Sequence, residues 1–229
     1  MKLLALDTSS VACTVALQIG EDIVERHEEQ PREHTKLLVP MIRSVLEESS
    51  VDVNELDAIV LGNGPGSFIG MRIAASVAQG LAFASGLRIV PVSSMAAVAA
   101  EVFATHDANV AVITQDAHMH EVYLGLYERG PGSLPESVCP ERLHGDEPIA
   151  ELKSVMSSLA AGFGWQRYPK LLARNRDRLG DVVKILYPRA RYLLPLGAAL
   201  YESETTIEPQ DVAPAYLRQK VAEKPASPS

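Results

Sequence analysis

Cysteine is almost absent from this chain: among 229 residues there are two, Cys13 and Cys139. Two are too few for a disulfide framework, and neither stands in a paired metal-ligand spacing, so a reducing, cytoplasmic setting is the expectation. Long apolar runs are missing as well. The stretch after Met1-Lys2 meets Asp7 too soon for a signal peptide or a membrane span. The Ala-rich run from Val90 to Ala104 is broken by Pro91, Ser93 and Ser94, so it reads as a buried strand running into a helix, and no membrane contact is expected. Positive charge is in deficit: 21 Lys and Arg stand against 29 Asp and Glu, a net charge of −8. That argues against unaided binding to nucleic acid. Residues 166–192 run the other way, with 8 Lys/Arg against 2 Asp/Glu. They read as a solvated face, or as a basic surface that meets RNA inside a complex. What remains is ordinary globular composition, 47% hydrophobic and 22% charged, in a chain long enough for one or two domains with a real core.

Residues 2–7, 11–19 and 23–28 read as three strands separated by the turns Thr8-Ser-Ser10 and Gly20-Glu-Asp22, an opening antiparallel meander. His34 to Ser49 reads as a helix with two adjacent apolar rows, Leu37/Met41/Val45 and Leu38/Ile42/Leu46. One row suffices for the sheet, which leaves the other for a partner. Pro40 inside the pattern predicts a kink. Residues 58–61 form a short strand, 62–66 a glycine turn, and Ser67 the N-cap of a helix running to Ser85 and closed by Gly86. Gly70 and Gly80 inside that helix imply close packing. A strand over 88–92 and a helix over 94–103 follow. A second hairpin then spans 110–115 and 121–127 around the turn Asp116-Ala-His118. Asp7 and Asp116 lie 109 residues apart, as do Val15-Ala-Leu17 and Leu124-Gly-Leu126. The repeat suggests a duplicated fold: one lobe over 1–104, a second over 105–218, and a disordered tail over 219–229. In the second lobe 130–133 reads as a turn, 159–163 as a strand, and 187–202 as containing a helix.

The glycine turn fails each template for phosphate or nucleophile chemistry. A dinucleotide fingerprint needs its third glycine where Ile69 stands, a Walker loop needs a lysine that is absent, and a nucleophile elbow needs a different serine spacing. A helix N-terminus still offers free backbone N–H groups, so Gly64, Gly66 and Ser67 are candidates for an anion site, against the plainer reading of a tight turn that presents a helix. Asp7 sits where actin-like ATPases carry an Asp-x-Gly phosphate turn, but its third position is Ser9; Asp116-x-His118 lacks the glycine too. Asp7 then serves as an Asx cap of its own turn. His118 and His120, at i and i+2, would share one face of a strand, but no third ligand stands nearby in sequence, and surface histidines are the expectation.

Asp7-Thr-Ser9, Pro31-Arg-Glu-His-Thr35, Gly64-Pro-Gly-Ser-Phe68 with Gly70 and Arg72, Gln79-Gly-Leu81, Glu121-Val-Tyr123, Gly164-Trp165 and Pro214-Ala-Tyr-Leu-Arg218 resemble the TsaB family over nearly the whole chain. The first half carries the more specific motifs. The resemblance implies a two-lobed α/β fold of the actin-like, ribonuclease H-like (ASKHA) type. It implies a non-catalytic subunit in synthesis of N6-threonylcarbamoyladenosine at tRNA position 37, with no cofactor of its own. Its partners would be the paralogous transferase TsaD, the ATPase TsaE, a second copy of itself when TsaD is absent, and tRNA only within the complex. TsaD binds metal through a His-x-x-x-His helix; the matching positions here are about Ser94 and Val98. The family pairs through first-lobe helices. Carried over to 34–49 and 67–85, that gives Leu37, Met41, Val45, Ile69, Ile73, Val77 and Gly80 as the expected interface. Ile69 replaces the family's usual threonine, and His118 and His120 replace its usual arginine and glycine. Two other readings remain: a stand-alone ATPase or small-molecule kinase of the same fold, and a metallopeptidase.

Overall fold

The computed structural model describes residues 1–152 and 158–218; the expected tail at 219–229 lies outside the described residues. The opening meander is as expected. Strand β1 (Lys2–Asp7) pairs antiparallel with β2 (Ala12–Ile19), and β2 with β3 (Asp22–Glu29). On its other edge β1 runs parallel to β4 (Ala58–Gly62), and β4 to β5 (Arg88–Val92), giving the order β3-β2-β1-β4-β5. Alternation along β1 divides its side chains between two cores. Leu4 and Leu6 face helices α1 (His34–Glu48) and α2 (Phe68–Ser85), while Leu3 and Ala5 face the opposite layer.

The second sheet repeats the first in outline. Strands β6 (Val110–Asp116) and β7 (Val122–Arg129) form its hairpin, β10 (Ser158–Ala161) runs parallel to β6, and the short strands β8 (Pro135–Ser137) and β9 (Arg142–His144) add to β7. Here β10 stands where β4 stands in the first lobe. An isolated parallel bridge between Ala160 and Val182 stands where β5 does. Helices α4 (Phe163–Arg167) and α5 (Pro169–Asn175) cover one face, with Trp165 buried and its indole N–H donating to the Val112 carbonyl at 3.0 Å. Residues 159–163, expected as strand throughout, give up Phe163 to α4.

Two helices cross the sequence boundary between the lobes. Helix α3 (Ser94–Thr105) packs Met95, Val98 and Phe103 against Ile113 and Tyr127 of the second sheet. Helix α6 (Ala190–Glu202) packs Leu193 and Leu194 against Leu3 and Val60 of the first. A cut at 104/105 therefore leaves each sheet without a helix that covers it. The expected two-lobed α/β architecture, a mixed sheet with helices in each lobe, stands, with these exchanged helices as its joint.

Residues 204–218 form a strap along the first lobe. Ile207 bridges to Ile89 at the edge of β5, Arg88 pairs with Glu208, and Ala215 N donates to the Asn63 carbonyl at 3.1 Å. The strap ends on the second lobe, where Arg218 pairs with Glu121 at 2.5 Å. It has no hydrophobic period and so leaves no periodic signal in the sequence.

Candidate functional site

Asp7 ends β1 with its carboxylate fully buried. One oxygen accepts from Ser9 N at 2.6 Å and the other from Ser94 Oγ at 2.5 Å. Ser94 in turn accepts from Gly64 N at 3.0 Å, and its own N donates back to the Gly64 carbonyl at 2.9 Å. Burial raises the carboxyl above the usual aspartate range, opposed by the Ser94 hydrogen bond. Both oxygens thus accept hydrogen bonds from within the chain. The Asx cap expected of Asp7 is present, and Ser94 is a second partner that the sequence did not signal.

The glycines of the turn are explained by what lies against them. A Cβ on Gly66 would stand 2.1 Å from the Ser9 carbonyl oxygen, and one on Gly70 would stand 1.9 Å from that of Thr8. Ser67 N donates to Ser9 O at 2.6 Å, and Thr8 Oγ1 donates to Gly70 O at 2.7 Å. The first turn of α2 lies directly on the β1–β2 turn. Ser67 caps it by accepting from Gly70 N at 3.2 Å. Of the anion-site candidates, Gly64 and Gly66 serve close approach and Ser67 serves as the cap.

Between the lobes lies a cleft of about 620 Å³, lined from one side by Ser10, Arg32 and Ser67 and from the other by Gln115, Phe163 and Tyr187. His118 stands at its rim, but not on a strand. His118, Met119 and His120 have φ of 59°, 52° and 62°, three successive left-handed residues that turn the chain between β6 and β7. Both histidines are exposed, as expected of surface residues, and the turn leaves them no shared strand face. Asp116 organises this turn: its Oδ1 accepts from His118 N at 2.8 Å and from the Tyr168 hydroxyl at 2.7 Å. Burial, together with that hydrogen bond, pushes the Tyr168 phenol up to about 12. Among the described residues no three His, Cys, Asp or Glu side chains are grouped to hold a metal.

The other candidate surface is the pair α1–α2. Helix α2 buries Met71, Ala74, Ala75, Ala78 and Ala82 against the sheet and turns an apolar face outward. Ile69 is 70% and Phe83 80% exposed, with Ile73 and Val77 half-buried beside them. A furrow of about 510 Å³ runs between Val39 of α1 and Ile69, Ile73 and Val77 of α2. Gly80 is exposed with nothing within 4 Å of an added Cβ, so the close packing it implied is not made inside this chain. Two expected interface residues are displaced. Met41 is 7% exposed and Val45 fully buried, both within the first-lobe core. Helix α1 seats the middle of its wide apolar stripe on the sheet, which consumes both rows and leaves Leu37 at the margin.

On α3, Ser94 is held by Asp7 and Val98 is fully buried in the core. Two cations of the basic stretch, Arg174 and Arg189, are paired with Asp146 and Glu25.

The family model described as TsaD, tRNA N6-adenosine threonylcarbamoyltransferase, matches residues 26–225. The tRNA threonylcarbamoyladenosine biosynthesis protein TsaB of Haemophilus influenzae is 34% identical over 236 residues, covering 98% of this chain and 96% of its own. The protein of the same name from Escherichia coli is 32% identical over 226 residues, with 98% and 97% covered. Among solved structures, YeaZ from Pseudomonas aeruginosa matches with a TM-score of 0.88 at 35% identity, over 94% of this chain and 99% of that one.

Proposed function

The chain belongs to the TsaB family, and from that premise we propose that it is a non-catalytic subunit in tRNA N6-threonylcarbamoyladenosine synthesis, docking on a TsaD-type transferase and activating it together with TsaE. The carrying observation is the outward apolar face of α1–α2, with Ile69 and Phe83 exposed and Gly80 open. A contiguous apolar surface on a folded chain marks a docking site. Two helices from each side make a four-helix contact, available to the transferase or, in its absence, to a second copy. The tRNA is met only within the complex.

The same geometry speaks against a stand-alone ATPase. Asp7 is fully buried with each oxygen already accepting a hydrogen bond from Ser9 or Ser94, and the glycine turn is filled by the β1–β2 turn. A metallopeptidase lacks a donor set among the described residues. Reconstitution tests the proposal: transferase, TsaE and threonylcarbamoyl-adenylate are combined with tRNA, with and without this chain. Modification is expected to depend on the chain, and an equal yield without it would refute the reading.

A further inference from the structure

Of the described side chains that line the α1–α2 furrow, Arg72 alone carries a permanent charge, in a chain whose net charge is −8. It is exposed, yet it is held. Its guanidinium carbon lies 3.7 Å from the centroid of the Phe68 ring and 5.6 Å from that of Tyr216. The two rings are 5.4 Å apart. Arg72 Nε donates to the Tyr216 hydroxyl at 2.8 Å. Neither terminal nitrogen has a hydrogen-bond partner among the described residues. A guanidinium fixed at Nε and across its face, with its outer nitrogens free, is shaped for a planar carboxylate. Because the strap has already ordered the side chain, less freedom is lost when an anion arrives.

We propose that Arg72 is a pre-oriented receptor for an Asp or Glu on the transferase helix that seats in the furrow, with Tyr216 of the strap as its positioning residue. This rests on the docking reading above and adds a charge code to an otherwise apolar contact. Arg72 is also the one charged residue of α2, which carries no Asp or Glu. A second copy packing α2 on α2 therefore offers Arg72 no carboxylate from that helix. A transferase helix with an Asp or Glu opposite Arg72 is thereby preferred over a second copy packed α2 on α2, as charge complementarity selects partners at interfaces generally.

The test is titration calorimetry of the full chain with the purified transferase at low and high salt, beside sedimentation of the chain alone. Arg72→Gln is expected to weaken transferase binding at least about ten-fold and to flatten its salt dependence, while leaving self-association unchanged. Tyr216→Phe keeps the ring and removes the bond to Nε; it is expected to weaken binding by a smaller factor with the salt dependence retained. Replacing one Asp or Glu of the docking helix by Lys should restore binding to an Arg72→Glu chain. Wild-type affinity and salt dependence for Arg72→Gln would overturn the proposal. Val77→Glu run in parallel separates the two layers. If it abolishes binding while Arg72→Gln does not, the docking face stands and the receptor falls; if it too binds normally, the docking face itself is wrong.

Discussion

Gly66 and Gly70 have no side chain because the β1–β2 turn fills the place one would take. Gly70→Ala puts a carbon 1.9 Å from a backbone oxygen, so either the turn or the helix start must shift. A loss of about 2–4 kcal/mol is expected in urea unfolding. Gly80→Ala is the contrast. It adds a methyl to an exposed helix interior with nothing near it and should stabilise the lone chain by about 0.5–1 kcal/mol. Equal effects at the two sites would contradict the packing described for α2. Glu101 of α3 makes stability depend on pH. One of its oxygens is buried without a hydrogen bond, and burial pushes its carboxyl up to about 7 despite nearby Arg189. An acid held protonated in the fold but released near 4.5 in the unfolded chain makes stability fall as pH rises from about 4.5 to 7. Glu101→Gln should remove that slope, raising the unfolding midpoint at pH 8 more than at pH 5; a parallel shift at both would contradict the assignment.

At the scale of elements, α1 and α2 divide their apolar residues between a core and a face, and burial separates the two. Val45→Glu places an unpaired carboxylate in the core and is expected to cost several kcal/mol of stability. Val77→Glu sits at the furrow and should leave the thermal midpoint within a few degrees while weakening association measured by light scattering. Exchange of these two phenotypes would mean the face is misplaced. The wide stripe of α1 was legible from its 3.6-residue period, but not which part of it the sheet would cover, because that depends on how the helix is rolled. In the second lobe, β8 and β9 span three residues each and α4 five, too short to establish a period. The turn at Asp116 was legible, but its extension through His120 was not, for a different reason. Three consecutive left-handed residues without glycine carry no local sequence signal.

Over the whole molecule, the exchanged helices α3 and α6 and the strap 204–218 tie the two sheets together. The repeat at 109 residues made the duplication legible. The exchange was not, since it depends on contacts between distant segments. Ending the chain after Val212 removes the contacts of Ala215 with Asn63, Tyr216 with Phe68 and Arg218 with Glu121. It should lower the unfolding midpoint without changing far-ultraviolet circular dichroism, because the described residues removed, 213–218, form no helix or strand. A loss of helical signal would show that the strap is needed for the helices themselves.

The central claim, a docking subunit that works through α1–α2 and does no chemistry, is tested most directly by titrating this chain into the transferase and TsaE while measuring threonylcarbamoyladenosine formed on tRNA. Modification should rise to a plateau near one chain per transferase and stay near baseline with Ile73→Glu. Full activity with Ile73→Glu, or activity independent of the chain, would contradict the account.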